Sequence, residues 1–141
     1  MGLDWAEHLS VGNEMIDAEH KNLIVVVNSV EHAIATRDRV ALAKAFDLLD
    51  TYMHIHFRNE EKIAEKVKFP FGKNKLEHRH LLKEMKYMRE ELESRSGIWP
   101  DDLMKKYSRF LSGWMTDHII KEDMQMKQVL QSYPYDLKAD L

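Results

Sequence analysis

The chain predicts an all-α fold, an antiparallel up-down four-helix bundle preceded by an N-terminal arm. Three observations carry this. Apolar residues recur at helical spacing in four long stretches, and no strand-like alternation competes with them. The connections between the stretches are short, so consecutive helices must run antiparallel. Each stretch also places one histidine on its apolar face, His20, His56, His78 and His118, so four inward faces can meet around something polar.

Residues 1–16 have no helical period and hold Trp5, Ser10, Val11, Gly12 and Asn13, which reads as an arm packed on the outside of the core. The first helix is expected over about 17–37, with Asp17 as its N-cap and His20, Leu23, Ile24, Val27, Val30 and Ile34 on one face. The second, about 40–67, is roughly 40 Å long at the usual rise. It buries Leu42, Phe46, Leu49, Met53, Ile63 and Val67. Phe69-Pro70-Phe71-Gly72 breaks it, since proline and glycine both punctuate there. The third, about 74–94, carries His78, Leu81, Leu82, Met85, Met88 and Leu92, and dissolves at Ser94-Arg95-Ser96-Gly97. Pro100 opens the fourth, about 101–131, as its first residue, and Asp101 and Asp102 suit the positive end of the helix dipole. Its face is Leu103, Tyr107, Phe110, Leu111, Trp114, His118, Met126 and Val129; past Tyr133-Pro134 the chain reads as a loosely docked tail.

Residues 1–141 are expected to form one domain, long enough to bury a core without staples. With no cysteine, disulfides, thiolate metal sites and cysteine nucleophiles are excluded. The net charge of −3 has no basic stripe behind it, so no nucleic-acid partner is expected. The longest purely aliphatic run, Leu23 to Val27, is far short of a membrane span, and residues 1–5 lack the pattern of a secretion signal. No membrane partner and a cytoplasmic location are the expectation.

His56 and Glu60 stand one turn apart on the buried face of the second helix, where bland sequence would place leucine or isoleucine. Burying even one unsatisfied polar group costs about 2–7 kcal/mol, so something must compensate. Alone, a histidine bonded to its own glutamate would suffice; four histidines on four inward faces make a metal site the better account. Imidazole nitrogens and carboxylate oxygens without sulfur suit iron, zinc, manganese or nickel. A second acid follows His118, either Glu122 or Asp123. Two acids among histidine pairs are what a two-metal centre needs, because a carboxylate can bridge two cations. Regular helix geometry favours Glu122, since four residues keep a face better than five.

Several motifs recur in a fixed order: Trp5…Ser10-Val11-Gly12…Asp17-x-x-His20-Lys21, then His56-Phe57-x-x-Glu60-Glu61, the Phe69-Pro70 break, and Trp114-Met115-x-x-His118-Ile119-x-x-x-Asp123. On these, from about residue 3 to 130, the sequence resembles the hemerythrins, the bacterial ones in particular. The resemblance implies a four-helix bundle holding two non-haem iron ions, oxo- or hydroxo-bridged, that bind dioxygen reversibly. It also implies that His20 and His56 ligate an iron with an open position, that Glu60 and Asp123 bridge, and that His118 belongs to the other iron. Asp123 stands at the family's spacing, with Glu122 as its rival.

The third helix departs from that pattern. The family has His-x3-His after the proline break, whereas this chain has His78 and His80, which cannot share a face. Residues three, four and seven beyond His78 are Leu81, Leu82 and Met85; beyond His80 they are Lys83, Glu84 and Tyr87. The phase selects His78. One turn earlier stands Asn74, where the family has histidine, so that iron is expected to take an amide oxygen or water there. A shift of the preceding loop would bring His80 or Glu77 to the metal instead.

His54 and His80 are out of phase and expected to be exposed, His8 sits in the arm and His32 near a helix end. Met85, Met88, Met115 and Met126 read as core packing. Leu23, Phe57, Trp114 and Ile119 lie within a turn of the site and suit either its lining or the core. No catalytic residues are expected; the resemblance implies dioxygen carriage, storage or delivery. Two other functions compete: a sensor of oxygen, redox or iron status, and a di-iron enzyme reducing peroxide or dioxygen, which the Asn74 substitution favours. A ferritin-like oxidase would show two Glu-x-x-His motifs, and only Glu77-x-x-His80 fits, out of phase.

Overall fold

The structure, a computed structural model, describes residues 4–118 and 123–139. Four long helices form an all-α up-down bundle: α1 (Glu14–Ala35), α2 (Arg39–Lys66), α3 (Gly72–Ser94) and α4 (Asp101–Thr116). A 3-10 turn (Glu7–Leu9) lies in the arm; another (Asp123–Met126) leads into the short α5 (Lys127–Leu130). α1 packs along α2 and α4, and α2 along α3.

The first helix begins at Glu14 rather than Asp17, and its N-cap is Asn13, whose side-chain oxygen accepts from Ile16 N–H at 3.0 Å. Asp17 lies inside the first turn, buried, where it accepts from Ser10 Oγ (2.5 Å), Val11 N–H (2.9 Å) and the Tyr135 hydroxyl (2.9 Å). The arm is therefore not outside the core. Gly12, at φ +86°, turns it inward, a conformation that glycine adopts without strain. Val11 and Ile16 then join Ile63, Val67, Phe71, Met126 and Leu130 in an apolar cluster at one end of the bundle.

The tail is docked, not loose. Glu14 N–H donates to Tyr135 O (2.8 Å), Asn13 Nδ2 to Leu137 O (3.1 Å) and Lys66 Nζ to Lys138 O (2.5 Å). The tail thus satisfies the Glu14 N–H, one of the donors that a helix start leaves without an intrahelical partner.

α2 starts from Asp38, whose side chain accepts from Ala41 N–H at 3.0 Å. Pro100 precedes α4 as its N-cap instead of opening it, and Asp101 and Asp102 occupy the first turn. The larger apolar cluster is separate from the one at the end of the bundle and includes Leu23, Val30, Leu49, Met53, Leu92, Leu111 and Met115. Burying a side chain of this kind contributes about 1.5–3 kcal/mol. α4 does not run on to 131 as a regular helix: it ends at Thr116, and Asp117 and His118 form a π-helical turn. Among the described residues no helix is long and apolar enough to cross a membrane.

Candidate metal centre

Between the two apolar clusters the bundle buries six polar side chains. α1 supplies His20, α2 His56 and Glu60, α3 His78, the π-helical residues just after α4 His118, and the 3-10 turn Asp123. None is more than 2 % exposed. Ligand-capable atoms of His20, His56, Glu60, His118 and Asp123 all lie within 4.8 Å of one another. Asp123 Oδ2 is 2.5 Å from His20 Nε2, 2.9 Å from His118 Nε2 and 3.6 Å from His56 Nε2.

Glu60 divides its two oxygens. Oε2 faces His56 Nε2 (3.0 Å), His118 Nε2 (3.5 Å) and His20 Nε2 (3.7 Å), while Oε1 faces His78 Nε2 at 3.3 Å. His78 therefore stands at the rim of the cluster, on the far side of this carboxylate.

Asp123 enters the centre although a regular helix would favour the residue four beyond His118. The chain leaves regular α-helical geometry at Asp117 and His118, and Asp123 stands in a 3-10 turn, so the four-residue preference of a regular helix does not apply. Glu122, the rival, lies outside the described residues, as does Ile119.

A cation fits this arrangement better than hydrogen bonds do. Both Glu60 oxygens, Asp123 Oδ1 and His78 Nε2 are buried with no well-directed hydrogen bond among the described residues. Each such orphan costs about 1–3 kcal/mol. His56 Nε2 and His118 Nε2 are 2.9 Å apart, so at most one of the two can carry a proton between them. Burial alone would lower the His56 and His20 values. The Glu60, Asp123 and Glu19 carboxylates outweigh it at His56, and Asp123 and Glu60 outweigh it at His20, so His20 is raised and His56 well raised. Glu60 is driven well below the usual carboxylate range: burial opposes this, and the charges of His56 and His118 prevail. Asp123 is lowered as well, against burial and the neighbouring Glu60 charge, with His118 responsible. Four imidazoles around two ionised carboxylates are what nitrogen- and oxygen-preferring transition metals require.

Other groups orient the histidines. Glu19 Oε1 lies 2.7 Å from His56 Nδ1, and Glu19 Oε2 accepts from Asn59 Nδ2 at 2.6 Å. Glu61 Oε2 is 3.2 Å from His78 Nδ1. Carboxylates placed so fix the tautomer and turn Nε2 inward. Glu19 was not legible as a site residue: it sits beside His20 and off the apolar face, so it reads as solvated. Phe57 stacks on His78 (3.9 Å between centroids, 10° between planes) and Trp114 on His118 (5.9 Å, 22°).

The remaining polar candidates stand apart. His80 is 71 % exposed and paired with Glu84 (2.7 Å), and His54 is 59 % exposed beside Asp50 (3.3 Å). His8 and His32 are exposed, and Glu77 is half-buried. Asn74 is buried one turn before His78.

Residues 11–130 match the hemerythrin HHE cation binding domain family. The chain is 28% identical to a bacteriohemerythrin of Stenotrophomonas maltophilia over 140 residues, 99% of this chain and 84% of that one. It is also 28% identical to a bacteriohemerythrin of Methylococcus capsulatus over 108 residues, 76% of this chain and 79% of that one. Among solved structures, a crystal structure of a hemerythrin point mutant superposes with a TM-score of 0.76 at 25% identity, covering 91% of this chain and 96% of that one. With the family match spanning the metal-site residues of all four long helices, the chain belongs to the hemerythrin family.

Proposed function

We propose that the centre holds two irons, bridged by Glu60, Asp123 and an oxo or hydroxo group, and binds dioxygen for carriage, storage or delivery. His20 and His56 serve one iron, and His78 and His118 the other. The observation that carries this reading is the division of Glu60, with Oε1 towards His78 of one assigned pair and Oε2 towards His56 and His20 of the other, His118 Nε2 lying 3.5 Å from Oε2 as well. A carboxylate with histidines of both pairs on its two oxygens is placed to bridge two cations. When bound, the iron pair supplies the electrons for reversible dioxygen binding.

The chain's own residues do the rest. Glu19 and Glu61 hold His56 and His78 with Nε2 inward. Leu23, Met115 and Phe57, each at most 3 % exposed, lie within a turn of His20, His118 and His56 in the apolar core. The likeness to bacteriohemerythrins supports a binder over an enzyme. Anaerobic reconstitution with ferrous iron, followed by air and then vacuum, tests it. The expected result is two irons per chain and an oxygenated spectrum that persists in air and reverses under vacuum. Immediate decay to a ferric form would contradict the carrier reading.

A further inference from the structure

A cleft of about 590 Å³ runs between α3 and α4, lined by Lys73, Glu77, Arg109, Gly113, Trp114 and His118. It meets the metal centre at His118, itself only 1 % exposed. Two of its residues are not explained by packing. The first is Trp114, 6 % exposed, whose indole N–H is buried with no hydrogen-bond partner among the described residues. A buried donor is rarely left so, and one that is calls for a missing acceptor. The second is Gly113, an exposed residue inside α4, where glycine weakens a helix relative to alanine. Nothing lies within 4 Å of where its Cβ would stand, so no close approach requires glycine there. What a side chain at Gly113 would fill is the cleft.

The metal on this side has no more histidines than the other, so it too has room for an exogenous ligand. Besides the bridging carboxylates it has His78 and His118, and the buried residue one turn before His78 is Asn74, whose amide oxygen is a weaker donor than imidazole. We propose that the cleft is an entry and binding site for a second exogenous ligand, a small hydrogen-bond-accepting anion of two or three atoms. It would coordinate the iron of His78 and His118 and accept from Trp114 Nε1–H. Lys73 and Arg109 share the cleft with Glu77 and Asp117, so the tryptophan donor and the ferric ion select the anion, not the net charge of the cleft. The inference rests on the two-iron reading above.

Azide titration of the diferric protein, followed by absorbance, tests it after iron per chain has been measured. Wild type is expected to bind two azides per chain in separate phases. Trp114→Phe should weaken one phase at least tenfold and leave the other, and Asn74→His should abolish that same phase. Gly113→Leu, placed in open space on an exposed position, should slow azide association in that phase at least tenfold with iron content unchanged. Should Trp114→Phe fail to fold or to hold iron, the Gly113→Leu kinetics decide. A single azide per two-iron chain, or two phases that none of the variants moves, overturns the inference. Fewer than two irons in wild type overturns the two-iron reading instead and takes the inference with it; metal analysis distinguishes the cases before azide is added.

Discussion

Glu19 holds His56 from behind: its Oε1 stands 2.7 Å from His56 Nδ1, while Asn59 donates to its other oxygen at 2.6 Å. A residue adjacent to one metal-site histidine in sequence thus fixes the tautomer of another across the α1–α2 seam. With Nδ1–H committed to Glu19, the Nε2 lone pair of His56 faces the centre. Glu19→Gln keeps the hydrogen bond and removes the charge, and outer-sphere changes of this kind weaken metal binding about 10- to 100-fold. Chelator competition on the ferrous protein should show a loss of that order. An unchanged affinity would mean that Glu19 packs against His56 without tuning it.

The α3 histidines give a sharper contrast. His78→Ala should lower iron per chain, because its Nε2 stands 3.3 Å from Glu60 Oε1, whereas His80→Ala should leave it unchanged, being 71 % exposed and bonded to Glu84. Elemental analysis of the two variants side by side checks this; the reverse pattern would put His80 at the metal.

His56→Ala and His20→Ala should each strip iron from the other half of the centre, since each removes one of the two histidines assigned to it. Either variant holding two irons and oxygenating like wild type would break the assignment of that half.

The metal-free protein should have a stability window set by the same charges. His56 is raised well above 6.5 in the folded state. Between 6.5 and that value the folded chain binds a proton that the unfolded chain has released, so stability is complete below 6.5 and falls as pH rises through the folded value. Glu60 is lowered well below 4.5, so its contribution is present above 4.5 and lost as pH falls through its folded value. Urea midpoints of chelator-treated protein should therefore decline on the alkaline side. Iron loading should remove that decline, because metal binds neutral imidazole and displaces the protons. Metal-free protein that gained stability above pH 6.5 would contradict the charge assignment.

The tail yields a stability prediction. Tyr135→Phe deletes the hydroxyl that donates to Asp17 at 2.9 Å. With the ring half exposed, the loss should be about 1 kcal/mol, read by chemical denaturation. No loss would mean that the tail is held by its backbone bonds alone.

What was legible in the sequence was what repeats. Apolar residues at helical spacing located four helices and their inward faces, and the phase of Leu81, Leu82 and Met85 put His78 inward and His80 outward. Features that depend on one departure from regularity left no trace in the periodicity. Asp123 was legible from its spacing in the resembled family, while a regular helix template favours Glu122 and takes no account of the departure from α geometry at Asp117 and His118. Asp17 looked like an N-cap because its actual partners, Ser10, Val11 and Tyr135, come from segments without a period. The docked tail rests on individual hydrogen bonds from Asn13, Glu14 and Lys66, which leave no pattern in composition.

The two-metal centre divided by Glu60 is the central claim, and iron per chain after anaerobic loading with ferrous iron and removal of the excess tests it most directly. Wild type should saturate at two irons, and Glu60→Ala, which removes the shared ligand, should retain at most one. Saturation of wild type at a single iron, with Glu60→Ala unchanged from it, would contradict a carboxylate-bridged pair.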